Sequence, residues 1–271
     1  MRPPVALLPL LLLLPPVPAA ADAQPVVVEL SYAGYARGFH AVTMKSVLTM
    51  TPSGYRITLA GHTAGVVGFL YHARWQTWAE GVWDGTGVNA LHFDNEGVFG
   101  GQPRHVAVAF TNGDATVETL QPSDDGEHTP VPPSFEQHVI DSMSVTALVV
   151  HEVATQGHCS GHVKVFDGRQ VEAVNLHADG PDDLPPTDRS SWRGPTLRCV
   201  LDTRVLAGFY RDESPDSPSM HSDTIWMGTV LPGLPPLPVR MSTATRHIGR
   251  MMLYLTDATL RDPRTLTANR P

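Results

Sequence analysis

The sequence is short of lysine, cysteine and long apolar runs, and each shortage excludes something. Lys45 and Lys164 are its lysines, and the formal net charge is −8 at pH 7. No basic stripe breaks that balance, so nucleic acid is not an expected partner, because phosphate binding needs Lys and Arg gathered on one face. Beyond residue 23 no segment is apolar enough to span a bilayer, which takes about 20 residues. Assembled catalytic motifs are missing too. Gly61-His62-Thr63-Ala64-Gly65 imitates a G-x-S-x-G elbow but has threonine at the nucleophile position and strand-like neighbours. His151-Glu152 opens like H-E-x-x-H, yet Thr155 stands where the second ligand belongs. The 13 histidines follow no spacing that demands acid–base chemistry. No catalytic residue, resident metal or cofactor is expected.

What is present begins with an exported protein's leader. One arginine, a leucine-rich run and Ala21-Asp22-Ala23 give the three-part layout of a secretory signal peptide over residues 1–23. Pro9, Pro15, Pro16 and Pro18 break that run as a spanning helix. The expected mature chain is one β-rich domain over 24–271, placed in the periplasm.

In an oxidising compartment Cys159 and Cys199 are expected to form a disulfide, the bridge closing about 40 residues and stabilising by roughly 3 to 4 kcal/mol. A catalytic thiol is disfavoured, since a free cysteine in that compartment would be oxidised, and the remaining alternative is a metal site of His158, Cys159, His162 and Cys199. Its residue types suit zinc, but adjacent ligands rarely converge on one ion.

Short β-rich runs split by turn residues fill Val26 to Phe110 and return after residue 160. Pro52-Ser53-Gly54 predicts a hairpin turn, and Asp167-Gly168 predicts another with type I′ chemistry. "GVVGFLYHA" reads as a buried strand or a single helical turn. Asp141 ahead of "SMSVTALVVHEVA" predicts a capped helix. Loops are expected near 121–134, 178–195 and 211–221, rich in proline and acid. Strands, a helix and more strands, without βαβ alternation, predict a mainly β fold. The expected form is a curved antiparallel sheet, an open half-barrel or barrel-like, wrapped around one helix.

Several stretches carry a family resemblance: "YRITLAGHTAGVVGFLY", "EGVW", "GQPRHVAVAF", "IDSMSVTALVV", "HCSGHVKVFDGR", "LRCVL" and "LPVRM". With these the chain resembles the bacterial envelope family known as domain of unknown function 3108. The most specific element is Cys159 with Val165-Phe166-Asp167-Gly168-Arg169; Ser142 departs from the proline expected in many relatives. The resemblance implies an exported protein with a curved antiparallel sheet, similar in outline to the half-barrels of lipoprotein carriers. It implies no activity.

The leading functional expectation is a non-enzymatic binding protein for a lipid-like or apolar envelope ligand, held on a concave face by Phe69, Tyr71, Trp75, Trp78 and Trp83. Two rivals stand beside it. One is an envelope hydrolase using a His/carboxylate site, and the other is a scaffold docking envelope proteins through a sheet edge.

Overall fold

A computed structural model describes residues 24–213, 220–246 and 248–263. The leader expected over 1–23 lies outside the described residues. The first half of the chain forms strands β1 (Val26–Ala36), β2 (Phe39–Met50) and β3 (Gly54–Thr63), then the short helix α1 (Gly65–Leu70). It continues through β4 (Ala73–Asp84), β5 (Gly87–Phe99), β6 (Gln102–Thr111) and β7 (Asp114–Gln121). After a long loop come β8 (Val139–Ile140), helix α2 (Ser142–Gln156), β9 (Ser160–Phe166), β10 (Val171–Leu184) and β11 (Gly194–Ala207). Strands β12 (Met220–Gly228), β13 (Leu237–Thr245) and β14 (Gly249–Arg261) complete the sheet.

All the strands belong to one 14-stranded sheet in the order β7-β6-β5-β4-β3-β2-β1-β14-β13-β12-β11-β10-β9-β8. Neighbours run antiparallel except β8 and β9. The two ends of the sheet meet: the Val139 amide donates to Gly113 O at 2.8 Å, and the Ala115 amide donates to Glu136 O at 2.8 Å. The result is a nearly closed, barrel-like mainly β fold. Alternation along β1 buries Leu30, Tyr32 and Ala36 on one side, as a strand with one buried face requires. Bulges at Ser31/Tyr32 and Glu80/Gly81 add the twist by which a sheet of this width curls.

Helix α2 packs against β3, β4, β5 and β9. It buries Val145, Ala147, Leu148, Val149, Val150 and Val153, so it is apolar nearly all round, as a helix enclosed by sheet must be. Asp141 caps it by accepting from the Ser144 amide at 2.8 Å. Gly157, at φ 74°, ends it in the left-handed conformation.

Some local expectations change. Of the two forms expected for "GVVGFLYHA", the buried strand gives way to the helical turn, which is α1, with Val66 and Phe69 exposed. Residues 178–184 and 194–195, expected within a loop, are strand: β10 runs on to Leu184, with a register shift between Ala178 and Pro181 that absorbs the Gly-Pro pair. Met220 and His221 likewise begin β12, while 214–219 lie outside the described residues. The Asp167-Gly168 connection spans four residues rather than two. Asp167 Oδ1 accepts from the Arg169 and Gln170 amides, and of the two central residues expected to need positive φ, Gly168 alone has it, at 92°.

Candidate functional site

The period of two along β4 sorts the aromatic side chains. Ala73, Thr77, Ala79 and Gly81 are buried, and Trp75 and Trp83 share their parity. Trp75 lies flat against the sheet because its partner on β3 is Gly61. A Cβ there would stand 2.4 Å from the indole, so glycine makes the slot. Phe99 stacks beside it at a centroid distance of 6.1 Å.

Trp75 and Phe99 open onto a cavity of about 550 Å³, walled further by Leu59, Phe93, Val106 and Met143 of α2. Its volume is in the range of small-molecule sites. The opposite wall is polar, with Arg104, Glu127, His128, Arg169, Gln170 and Tyr210. Tyr71, packed over Gly100, also lines it.

The polar wall is assembled from distant segments. Asp125, its side chain 2 % exposed, accepts from His128 Nδ1 at 2.7 Å and from the Glu127 and His128 amides at 2.9 and 3.0 Å. Burial by itself would raise the Asp125 carboxyl, but the hydrogen bonds from His128 and Glu127 outweigh it and hold the group well below the usual carboxylate range. Arg169 stands 3.4 Å from the same carboxylate, and Arg104 pairs with Glu127 at 2.7 Å. Tyr210 packs on the His128 ring at 4.3 Å and is covered by the Arg246 guanidinium at 3.7 Å. Burial raises the Tyr210 hydroxyl above its ordinary pKa.

Asp125, Glu127 and His128 are close enough to share an ion. Their charge is already met by two guanidiniums, which a cation would have to displace. Asp125 and His128 have the pairing of a catalytic dyad. Among the described residues, however, no side-chain hydroxyl is hydrogen-bonded to the His128 ring, so the nucleophile of a triad is not in place.

The expected ligand-binding residues divide. Tyr71 and Trp75 reach the cavity. Trp78 is on the opposite face, under Arg56 at 4.2 Å and stacked on His92 at 4.4 Å. Trp83 stacks on His151 of α2 at 4.4 Å and donates to Thr51 O at 2.9 Å, so it clamps the helix. Phe69 is 84 % exposed on α1. The cavity's Phe93, Phe99, Arg104, His128 and Arg169 were not singled out from the sequence; alternation along β5 would have put Phe93 and Phe99 on one face.

Cys159, one residue ahead of β9, and Cys199 in β11 stand at disulfide distance, with Cα atoms 6.0 Å apart. The alternative group with His158 and His162 is not gathered among the described residues; His162 lines a separate groove with Lys164 and Asp202. Among the described residues no helix is long and apolar enough to cross a membrane.

Residues 29–256 match a family described as "Protein of unknown function (DUF3108)". No curated protein matches the chain. Among solved structures it is similar to a beta-barrel-like protein of domain of unknown function DUF1849 from Brucella abortus. The two share 9 % identity at a TM-score of 0.51, over 88 % of this chain and 98 % of that one. At that identity the likeness concerns the fold alone.

Proposed function

The chain belongs to the DUF3108 family, whose description assigns no activity, and from the cavity we propose that it is a non-enzymatic carrier or sensor of a lipid-like amphiphile. The observation behind this reading is the unfilled space of about 550 Å³ on the Trp75 side of the sheet. Its walls are divided in chemistry: Leu59, Trp75, Phe93 and Phe99 suit an acyl or prenyl chain, while Arg104, His128 and Gln170 suit a polar head group. The leader-like composition of residues 1–23 and the cysteine pair at disulfide distance support an exported, periplasmic location.

The test is gentle native mass spectrometry of protein purified from the periplasm, before and after solvent extraction. An added mass that extraction removes is expected, and Thr77→Phe, which pushes a ring into the cavity, should cut its occupancy at least about tenfold. A bare polypeptide in every preparation, with no uptake of an added fatty acid, refutes the reading.

A further inference from the structure

Helix α1 presents its residues the wrong way round for a soluble surface. Gly68 is its buried residue, so close to the Thr63 carbonyl that a Cβ would come within 2.8 Å of the oxygen. Glycine therefore lets the helix lie flat on the end of the sheet, anchored by the Ala64 amide donating to Ala41 O at 2.8 Å. The bulky side chains turn outward instead. Phe69 is 84 %, Leu70 77 % and Val66 58 % exposed, and Phe39, which opens β2 next to the β1–β2 turn, is 62 % exposed. Tyr71, which ends α1, is 48 % exposed and lines the cavity, so this apolar tip stands at the cavity's mouth. Scattered exposed apolar residues need no explanation, but a contiguous patch at the mouth of a cavity marks an interaction surface.

Charge identifies what covers it. Between Glu29 and Glu80 the chain has no carboxylate side chain, although its formal net charge is −8. The same stretch carries Arg37, Lys45, Arg56 and Arg74 with His40, His62 and His72. Lys45 pairs with Glu29 at 2.7 Å and Arg56 with Glu80 at 2.6 Å, at the two borders of the stretch. Among the described residues Arg37 and Arg74, both exposed, have no ion pair; Arg37 is in the β1–β2 turn two residues before Phe39, and Arg74 is the second residue of β4, four after Leu70. Exposed apolar side chains in a stretch with unpaired cations and no carboxylate have the composition of an interfacial membrane anchor.

We infer that α1 and the β1–β2 turn dock the protein onto an anionic lipid surface, with Phe39, Val66, Phe69 and Leu70 entering the head-group–acyl boundary. Docking stands on the surface alone. That it sets the cavity mouth against the membrane, so that cargo enters without crossing water, rests on the proposed carrier function.

Vesicle flotation of the full chain tests it, using phosphatidylcholine vesicles with and without about 30 mol % phosphatidylglycerol. Wild type should float with the anionic vesicles, and Phe69→Ser with Leu70→Ser should weaken binding at least about tenfold while thermal stability is unchanged. Arg37→Gln with Arg74→Gln should abolish the preference for anionic lipid. Leu260→Ser, which removes an exposed leucine on β14, should change nothing. No flotation of wild type, or equal flotation of the Phe69/Leu70 variant, overturns the inference. So does self-association of wild type that this variant loses, because the tip would then be a contact between copies. Vesicle binding by a protein that never holds cargo retires the carrier reading and leaves docking intact.

Discussion

Asp141 offers a sharp test of the electrostatics beneath the cavity floor. Its side chain has no solvent exposure, yet it caps α2 through the Ser144 amide and accepts from the Ser144 hydroxyl, which in turn accepts from Tyr55 at 2.5 Å. Burial outweighs those bonds, and the carboxyl is pushed up to about 6. A raised carboxyl means that the folded state keeps a proton that the unfolded chain releases. The contribution to stability is therefore full below about pH 4 and is lost as pH rises to about 6. A shift of about 2 units corresponds to about 3 kcal/mol. Asp141→Asn retains the cap without the charge, at a cost of about 1 kcal/mol for reversing the Ser144 hydroxyl. The variant should be about 2 kcal/mol more stable than wild type near pH 7.5 and about 1 kcal/mol less stable near pH 4. Urea unfolding followed by tryptophan fluorescence at both pH values measures this. A difference of the same sign and size at the two pH values would refute the reasoning.

Two further perturbations follow from the fold. Cys159→Ser with Cys199→Ser should lower stability by up to about 4 kcal/mol, measured by denaturant unfolding, and non-reducing peptide mapping of protein purified without reductant should find the two joined; two free thiols would be the contrary result. Gly168→Val should cost at least about 2 kcal/mol, read as a lowered Tm, because a Cβ at φ 92° would stand 2.3 Å from Val106 Cγ1; an unchanged Tm would show that the β9–β10 turn is not pressed against β6.

The parts of this fold legible in the sequence are those governed by neighbours. The turn at Pro52-Ser53 separates β2 from β3, which Gly54 opens, and Asp141 starts α2, because turns and caps are decided within a few residues. Strand parity is legible too. Trp75 and Trp83 lie eight positions apart and share a parity, whereas Trp78, three from Trp75, belongs to the other face. Proline and acid around Gly180-Pro181 argued for a loop, yet a bulge keeps that segment paired with β11. The polar wall was not legible at all. Arg104, Asp125, His128, Arg169 and Tyr210 come from a strand, a Pro-rich loop and two turns, and only closure of the sheet brings them to one place.

The strand order has a consequence for how the ring is made. Each half of the chain lays down its strands beside the one before, so nearly every ladder on either arm joins near neighbours in sequence and can zip early and fast. The exception is β1 with β14, where Val27 must find Arg261 and Ala36 must find Met251. That pairing closes a loop of more than two hundred residues and bears the largest entropy of any ladder in the molecule. Assembly is then two independent meanders awaiting one slow union, and a mutation in β1 or β14 should delay folding more than the same change in β5 or β11.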